Sequence, residues 1–187
     1  MTLPRAAALA GVTAVVLAIG AAIVLTRPAP RPAAKAPAAP VATAAPAGRK
    51  IKARLFYLSD DGMHLTSVER DVPFAEGADQ ARELVAAQIA PVAEPLLSAI
   101  PVGTSLRALF ITERGDAYVD LSHDISTSHP GGTLEELLTV YTIVDALTAN
   151  LPAVQSVQIL IDGKEVPTLA GHVDLRQPLG KDLSLVQ

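Results

Sequence analysis

Alternation of apolar and polar positions is clearest over residues 106–122, LRALFITERGDAYVDLS. Leu106, Ala108 and Phe110 alternate with Arg107, Leu109 and Ile111. After the Arg114-Gly115-Asp116 turn, Ala117, Val119 and Leu121 alternate with Tyr118, Asp120 and Ser122. A period of two on both sides of a glycine-containing turn predicts a β-hairpin. Neither strand has a fully polar face, so both sides of the hairpin are expected to be covered. The covers are predicted on either side of it in the chain. Residues 78–90 read as an amphipathic helix with Ala81, Leu84, Val85 and Ile89 as its stripe and Pro91 as its stop. Residues 133–150 read as a more apolar helix, with Leu134, Leu137, Leu138, Tyr141, Val144 and Leu147 on a broad face and Asp145 toward solvent. Thr133 and Glu136, three apart, have the spacing of a capping box that would start this helix.

The flanking pattern supplies more strands. Residues 51–58 (IKARLFYL) predict one, Ser59-Asp60-Asp61-Gly62 a turn, and 63–72 a second, more polar strand at an edge. Residues 91–105 read as an irregular connection in which the Ile100-Pro101-Val102-Gly103-Thr104 turn places Gly103 at positive φ. Residues 123–132 read as a loop. Residues 154–161 and 164–169 predict strands around an Asp162-Gly163 turn, and the tail from Gly171 is expected to pack along the domain. The order ββαββαββ predicts an α+β fold over 51–187, a two-layer domain of β-hairpins and two helices.

The N-terminus has another character. Residues 6–26 form a run of 21 uncharged residues between Arg5 and Arg27. As a helix this run would span roughly 32 Å, enough for the hydrocarbon core of a bilayer. Residues 1–26 therefore read as an N-terminal transmembrane anchor, with a cleaved signal peptide as the rival. Residues 27–50 contain six prolines among alanines and read as a semi-extended linker. The flanking Lys and Arg residues do not set the anchor's orientation.

Charge is divided along the same boundary. Residues 1–50 hold six basic residues and no acid, whereas 51–187 hold nine basic and 19 acidic residues, a net charge of −10. Such a domain repels phosphate backbones, and without tryptophan it has few surfaces on which bases could stack, so nucleic acid is not an expected partner. The sequence contains no cysteine, which excludes disulfides, thiolate metal sites and a lipid-modified N-terminal cysteine.

Candidate chemistry is sparse. Asp120, Ser122, His123, Asp124 and His129 are the densest polar cluster and the one set that could hold a borderline metal such as zinc. Asp120 and Ser122 can equally bond turn backbone at a strand end. Ser122, His172 and Asp174 could be drawn as a hydrolytic triad, but no Gly-x-Ser-x-Gly elbow accompanies them. Gly131-Gly132-Thr133 could greet an anion at a helix start, yet Glu135 and Glu136 in the first turn favour a plain cap. His64 and His172 read as surface or turn residues. No catalytic, cofactor-binding or metal-binding residue is assigned, and no cofactor is expected.

Four short stretches resemble the GerMN domain of the sporulation and germination family. They are Leu55-Phe56-Tyr57-Leu58, Ile100-Pro101-x-Gly103-Thr104, Val119-Asp120-Leu121-Ser122 and Val157-x-Ile159-x-Ile161-x-Gly163. The resemblance covers about residues 51–175, and its Pro-x-Gly-Thr and Val-Asp-Leu-Ser elements are the most specific. The family's aromatic soon after Val-Asp-Leu-Ser is replaced here by Ile125. The resemblance implies a fold akin to ring-building-motif domains and a non-enzymatic, extracytoplasmic role. The chain is then expected to be a single-pass protein of the cytoplasmic membrane. Its outward domain would be an interaction module for cell-envelope proteins or a peptidoglycan-associated complex, with self-association as a second mode. The alternative is an envelope hydrolase or metal-dependent enzyme using the Asp120–His129 cluster.

Overall fold

Strand β1 (Lys50–Leu58) pairs antiparallel with β2 (Leu65–Pro73), in register from Lys50↔Pro73 to Leu58↔Leu65, and the two form a separate ribbon. The structure, a computed structural model, describes residues 48–187. The anchor expected at 6–26 and nearly all of the 27–50 linker lie outside the described residues. Among the described residues no helix is long and apolar enough to cross a membrane.

After the ribbon come helix α1 (Ala78–Ile89), β3 (Leu106–Ile111) and β4 (Asp116–Leu121), the hairpin read from the sequence. A short helix α2 (Asp124–Thr127), the long helix α3 (Thr133–Thr148), β5 (Ser156–Ile161) and β6 (Lys164–Glu165) follow. β7 (Leu179–Gly180) and a 3-10 turn (Leu183–Leu185) close the chain. The ββαββαββ order is present, and the fold is α+β. One pairing was not read from the sequence. β4 and β5 are parallel, in register from Asp116↔Ser156 to Leu121↔Ile161, with α3 in the crossover. A parallel pair needs such a crossover of a dozen or more residues, and residues 122–155 supply it. The second sheet thus runs β3-β4-β5-β6, with β7 also paired to β5.

Helices α1 and α3 each touch both the ribbon and the second sheet. The described residues form one compact unit around a main core that includes Leu55, Tyr57, Leu84, Val85, Leu109, Val119, Ile143, Leu147 and Ile159. Phe56 and Leu65 belong instead to a smaller cluster with Leu138 and Ala146, so β1 is buried on both faces. The β3–β4 hairpin is covered less completely than its pattern suggested. Leu109 and Val119 are buried, but Phe110 remains 63% exposed on the edge strand. The 123–132 segment is not wholly loop: burial of Ile125 draws it onto the core, and Ser126 and Thr127 N–H groups donate to the His123 carbonyl.

Two expectations for α3 are corrected. Gly132 (φ 94°) is the N-cap, Thr133 is already helical, and no side chain caps this end. Glu136 therefore lies one position past the capping-box site and turns inward, fully buried. Asp145 is likewise buried rather than solvent-facing, because the C-terminal segment crosses α3 and the Asp182 N–H donates to its Oδ1 at 3.0 Å.

The free edge of β1 is closed by side chains. The Gln88 amide both accepts from the Phe56 N–H at 2.9 Å and donates to the Phe56 carbonyl at 2.7 Å. Asn150 grips Arg54 in the same two-way fashion, at 2.8 and 2.7 Å. Two residues further on, the Leu58 N–H donates to the Leu97 carbonyl. A primary amide presents one acceptor and two donors, so it can stand in for a neighbouring strand. One helix end thus supplies each clamp, and the edge is closed to a further strand at these points.

Candidate interaction surface

The residues singled out for chemistry are dispersed into separate structural bonds. Asp120 receives the Gly163 N–H at 2.7 Å and Arg107 Nε at 3.3 Å. Arg107 also donates to Asp162 at 2.7 Å, and His123 Nδ1 stands 3.5 Å from the same carboxylate. Ser122 Oγ accepts from the Ser105 N–H at 3.0 Å. His129 faces the other way, with Nδ1 accepting from Gly131 N–H and Nε2 at 3.1 Å from Thr139 Oγ1. A guanidinium inside the Asp120–Asp162 pair fills the place that a cation would need. Among the described residues no group of three or more His, Asp or Glu side chains has a metal-holding arrangement.

The Ser122, His172 and Asp174 combination is not assembled by hydrogen bonds among the described residues. Asp174 is held by Arg176, at 2.9 and 2.7 Å, and its carboxyl is pulled down to about 2. His172 pairs with a residue the sequence reading had placed in a cap: Glu136 Oε2 is 3.1 Å from His172 Nδ1 and accepts its backbone N–H at 2.8 Å. Oε1 accepts from Leu169 N–H at 2.8 Å. Burial alone would raise this carboxyl's pKa, but N–H groups of Ala170, His172, Leu169 and Val173 hold it below the ordinary value. Glu136 thereby fastens the 168–173 loop to α3. It orients an imidazole, yet among the described residues no hydroxyl is bonded to that imidazole.

What remains is surface around the connection between α1 and β3. Thr104 N–H and Oγ1 both donate to the Pro101 carbonyl, and Gly103 takes φ 94° at the third turn position, as the sequence predicted. The turn holds Val102 at its tip, 93% exposed. Behind it, Thr139 Oγ1 donates to the Ala99 carbonyl at 2.7 Å and ties the connection to α3. A hollow of about 280 Å³ lies between the connection and α3, with Leu58, Leu138, Thr139 and Glu135 in its wall. A second hollow of about 500 Å³ lies toward the end of α1, lined by Ile89, Val92, Glu94, Leu96 and Leu97. Both include Ile100, Pro101 and Val102 in their walls, so Val102 stands as a ridge shared by the two. Leu97, also exposed, extends the apolar surface. A separate groove of about 590 Å³ near the start of β1 is lined by Ile51, Phe74, Ile111 and Val154.

Solved structures share this fold. A candidate lipoprotein from Clostridium perfringens matches with a TM-score of 0.51 at 21% identity, over 72% of this chain and 89% of that one. The first GerMN domain of the sporulation protein GerM from Bacillus subtilis matches with a TM-score of 0.52 at 16% identity, over 70% of this chain and 97% of that one. The tandem GerMN domains of the same protein match with a TM-score of 0.52 at 18% identity, over 73% of this chain but 46% of that one. No curated protein sequence matches. The family model described as Germane, sporulation and spore germination, matches residues 54–167.

Proposed function

The chain belongs to the Germane family of sporulation and spore germination, and from that membership we propose that it is a non-catalytic interaction module of a cell-envelope assembly. Residues 6–26 anchor it in the cytoplasmic membrane, residues 27–50 act as the tether, and the α+β domain faces outward as one two-layer body. Its partners are envelope proteins or a peptidoglycan-associated complex, and self-association is a second mode of contact.

The observation that carries this reading is the contrast between buried polarity and uncovered apolar surface. The polar groups that might have done chemistry are occupied in holding loops and turns, as Asp120 is by Gly163 and Arg107. The ridge at Val102 is exposed to solvent and flanked by hollows. Exposed apolar side chains beside hollows with carboxylates in their walls are what a protein contact can use. The candidate lipoprotein among the structural relatives is compatible with an extracytoplasmic address. With no cysteine in this sequence, anchoring falls to the apolar N-terminal run.

Protease shaving of spheroplasts carrying a C-terminally tagged chain tests the topology. Loss of the tag in intact spheroplasts, from a full-length band that sediments with membranes, is the expected result. Protection until lysis would place the domain in the cytoplasm and end the envelope reading.

A further inference from the structure

We infer that the Val102 ridge and its two hollows take an extended, cationic segment of a partner protein, with an apolar side chain on each side of the ridge and Lys or Arg at the rim. This rests on the interaction-module reading and names the chemistry of the partner.

The apolar part of the inference comes from the shape. Val102 separates two hollows whose walls include Leu58 and Leu138 on one side and Val92, Leu96 and Leu97 on the other. An extended chain repeats side chains on one face about every 7 Å, so it can place one in each hollow across a single intervening residue. The turn that carries Val102 is fixed, closed by Thr104 against Pro101 and tied through Ala99 to Thr139 on α3. A rigid ridge loses little conformational freedom when it is covered.

The charge part comes from the rim. Glu135 lies in the wall of the first hollow and Glu94 in that of the second. Asp124 lies against Gly103, with Oδ1 3.6 Å from where a Cβ on that glycine would sit. None of these three carboxylates is in an ion pair among the described residues, and no Lys or Arg lines either hollow. The rim therefore has negative charge with no Lys or Arg paired to it among the described residues, and complementary charge steers a cationic segment onto it. The folded domain of a second copy is a poor occupant, because it carries a net charge of −10 over residues 51–187 and like charges would meet.

The test uses the 48–187 fragment, which has its own core and corresponds to a relative solved as a single domain. The probe is a fluorescein-labelled ten-residue peptide alternating leucine and lysine, read by anisotropy. Saturable binding is expected, weakened about tenfold by Val102→Ser, as for truncation of a central contact. It should be weakened similarly, with a flattened salt dependence, by Glu94→Gln combined with Glu135→Gln. Leucine–glutamate and serine–lysine peptides should bind at least about tenfold more weakly. Equal binding of either control peptide, or binding indifferent to these substitutions, overturns the inference. So does a dimer in sedimentation that Val102→Ser dissolves, which would make a second copy the occupant. Val102 is exposed, so an unchanged melting curve verifies that the variant is folded. The outcome is independent of membrane topology: failure here leaves the shaving result standing, and failure there leaves the binding result standing.

Discussion

A methyl group added at Gly103 and one added at Gly115 meet different surroundings, although both residues have positive φ, 94° and 90°. At Gly103 the new Cβ finds Asp124 Oδ1 at 3.6 Å, an ordinary contact, so Gly103→Ala is charged only with backbone strain of about 1–2 kcal/mol. At Gly115 the Cβ would lie 2.5 Å from the Ala153 carbonyl oxygen, and backbone on both sides must move. Gly115→Ala is expected to cost on the order of 3 kcal/mol or more, and urea denaturation of the two variants should show this order. Asp145 is the other residue with a distinct signature. Burial, opposed in part by the hydrogen bond from Asp182 N–H, raises its pKa from 3.8 to about 6, and Oδ2 has no partner. The folded state therefore prefers the protonated form. Stability from this group is fully present below pH 3.8 and is lost as pH rises toward about 6. Asp145→Asn should stabilise the domain at neutral pH by on the order of 2 kcal/mol, a gain that fades below about pH 4. A gain of equal size at every pH would show that ionisation of Asp145 is not the cause.

At the scale of elements, the ribbon depends on the two amide clamps, and their burial separates them. Gln88→Leu leaves the Phe56 N–H and carbonyl without partners in a buried place and should cost about 2–4 kcal/mol. Asn150→Ala releases Arg54 at an exposed edge where water can replace the amide, so about 1 kcal/mol is expected. Hydrogen exchange should speed at the Phe56 amide in the first variant before it does so elsewhere in β1. These clamps mark the limit of what periodicity reveals. The hairpin, both long helices and the Gly103 turn were legible because their signals lie within a few consecutive residues. Gln88 and Asn150 meet partners 32 and 96 positions away, and Glu136 and Asp145 do so 33 and 37 away, where local pattern carries no information. A signal was nonetheless present. Gln80 and Gln88 share the helix face of Ala81, Leu84 and Val85, and a glutamine on an apolar stripe needs a buried partner. The parallel β4–β5 pair was legible in principle from the strand-helix-strand spacing. Of the candidate site, the Pro-x-Gly-Thr turn was visible as a turn, but the exposure of Val102 and the hollows beside it arise only when α3 and the connection pack together.

For the whole molecule, stability and surface charge lead to two expectations. Val119 is fully buried in the main core between β3 and β5. Val119→Asp places an unpaired charge there and should remove about 3–5 kcal/mol, a large part of the 5–15 kcal/mol that holds an ordinary domain folded. A near-native melting curve for that variant would contradict the core assignment. The acidic surface acts outward: the 48–187 fragment should stay in the supernatant when vesicles of anionic lipid are sedimented at low salt, since its net charge is negative. Sedimentation with the vesicles would reveal a basic face that the charge count conceals.

The crossover between β4 and β5 also sets an order of events during synthesis. β3 and β4 can join as soon as both have emerged on the side where the domain folds, because only a short turn separates them. The partner on the other side of β4 begins at Ser156, after both α2 and α3. Until residues 156–161 have been added, the nascent chain displays β4 with one edge vacant beside Val119 and Leu121, a template for wrong pairing with another growing chain. An inner strand of the finished sheet is thus an open edge while the protein is being made.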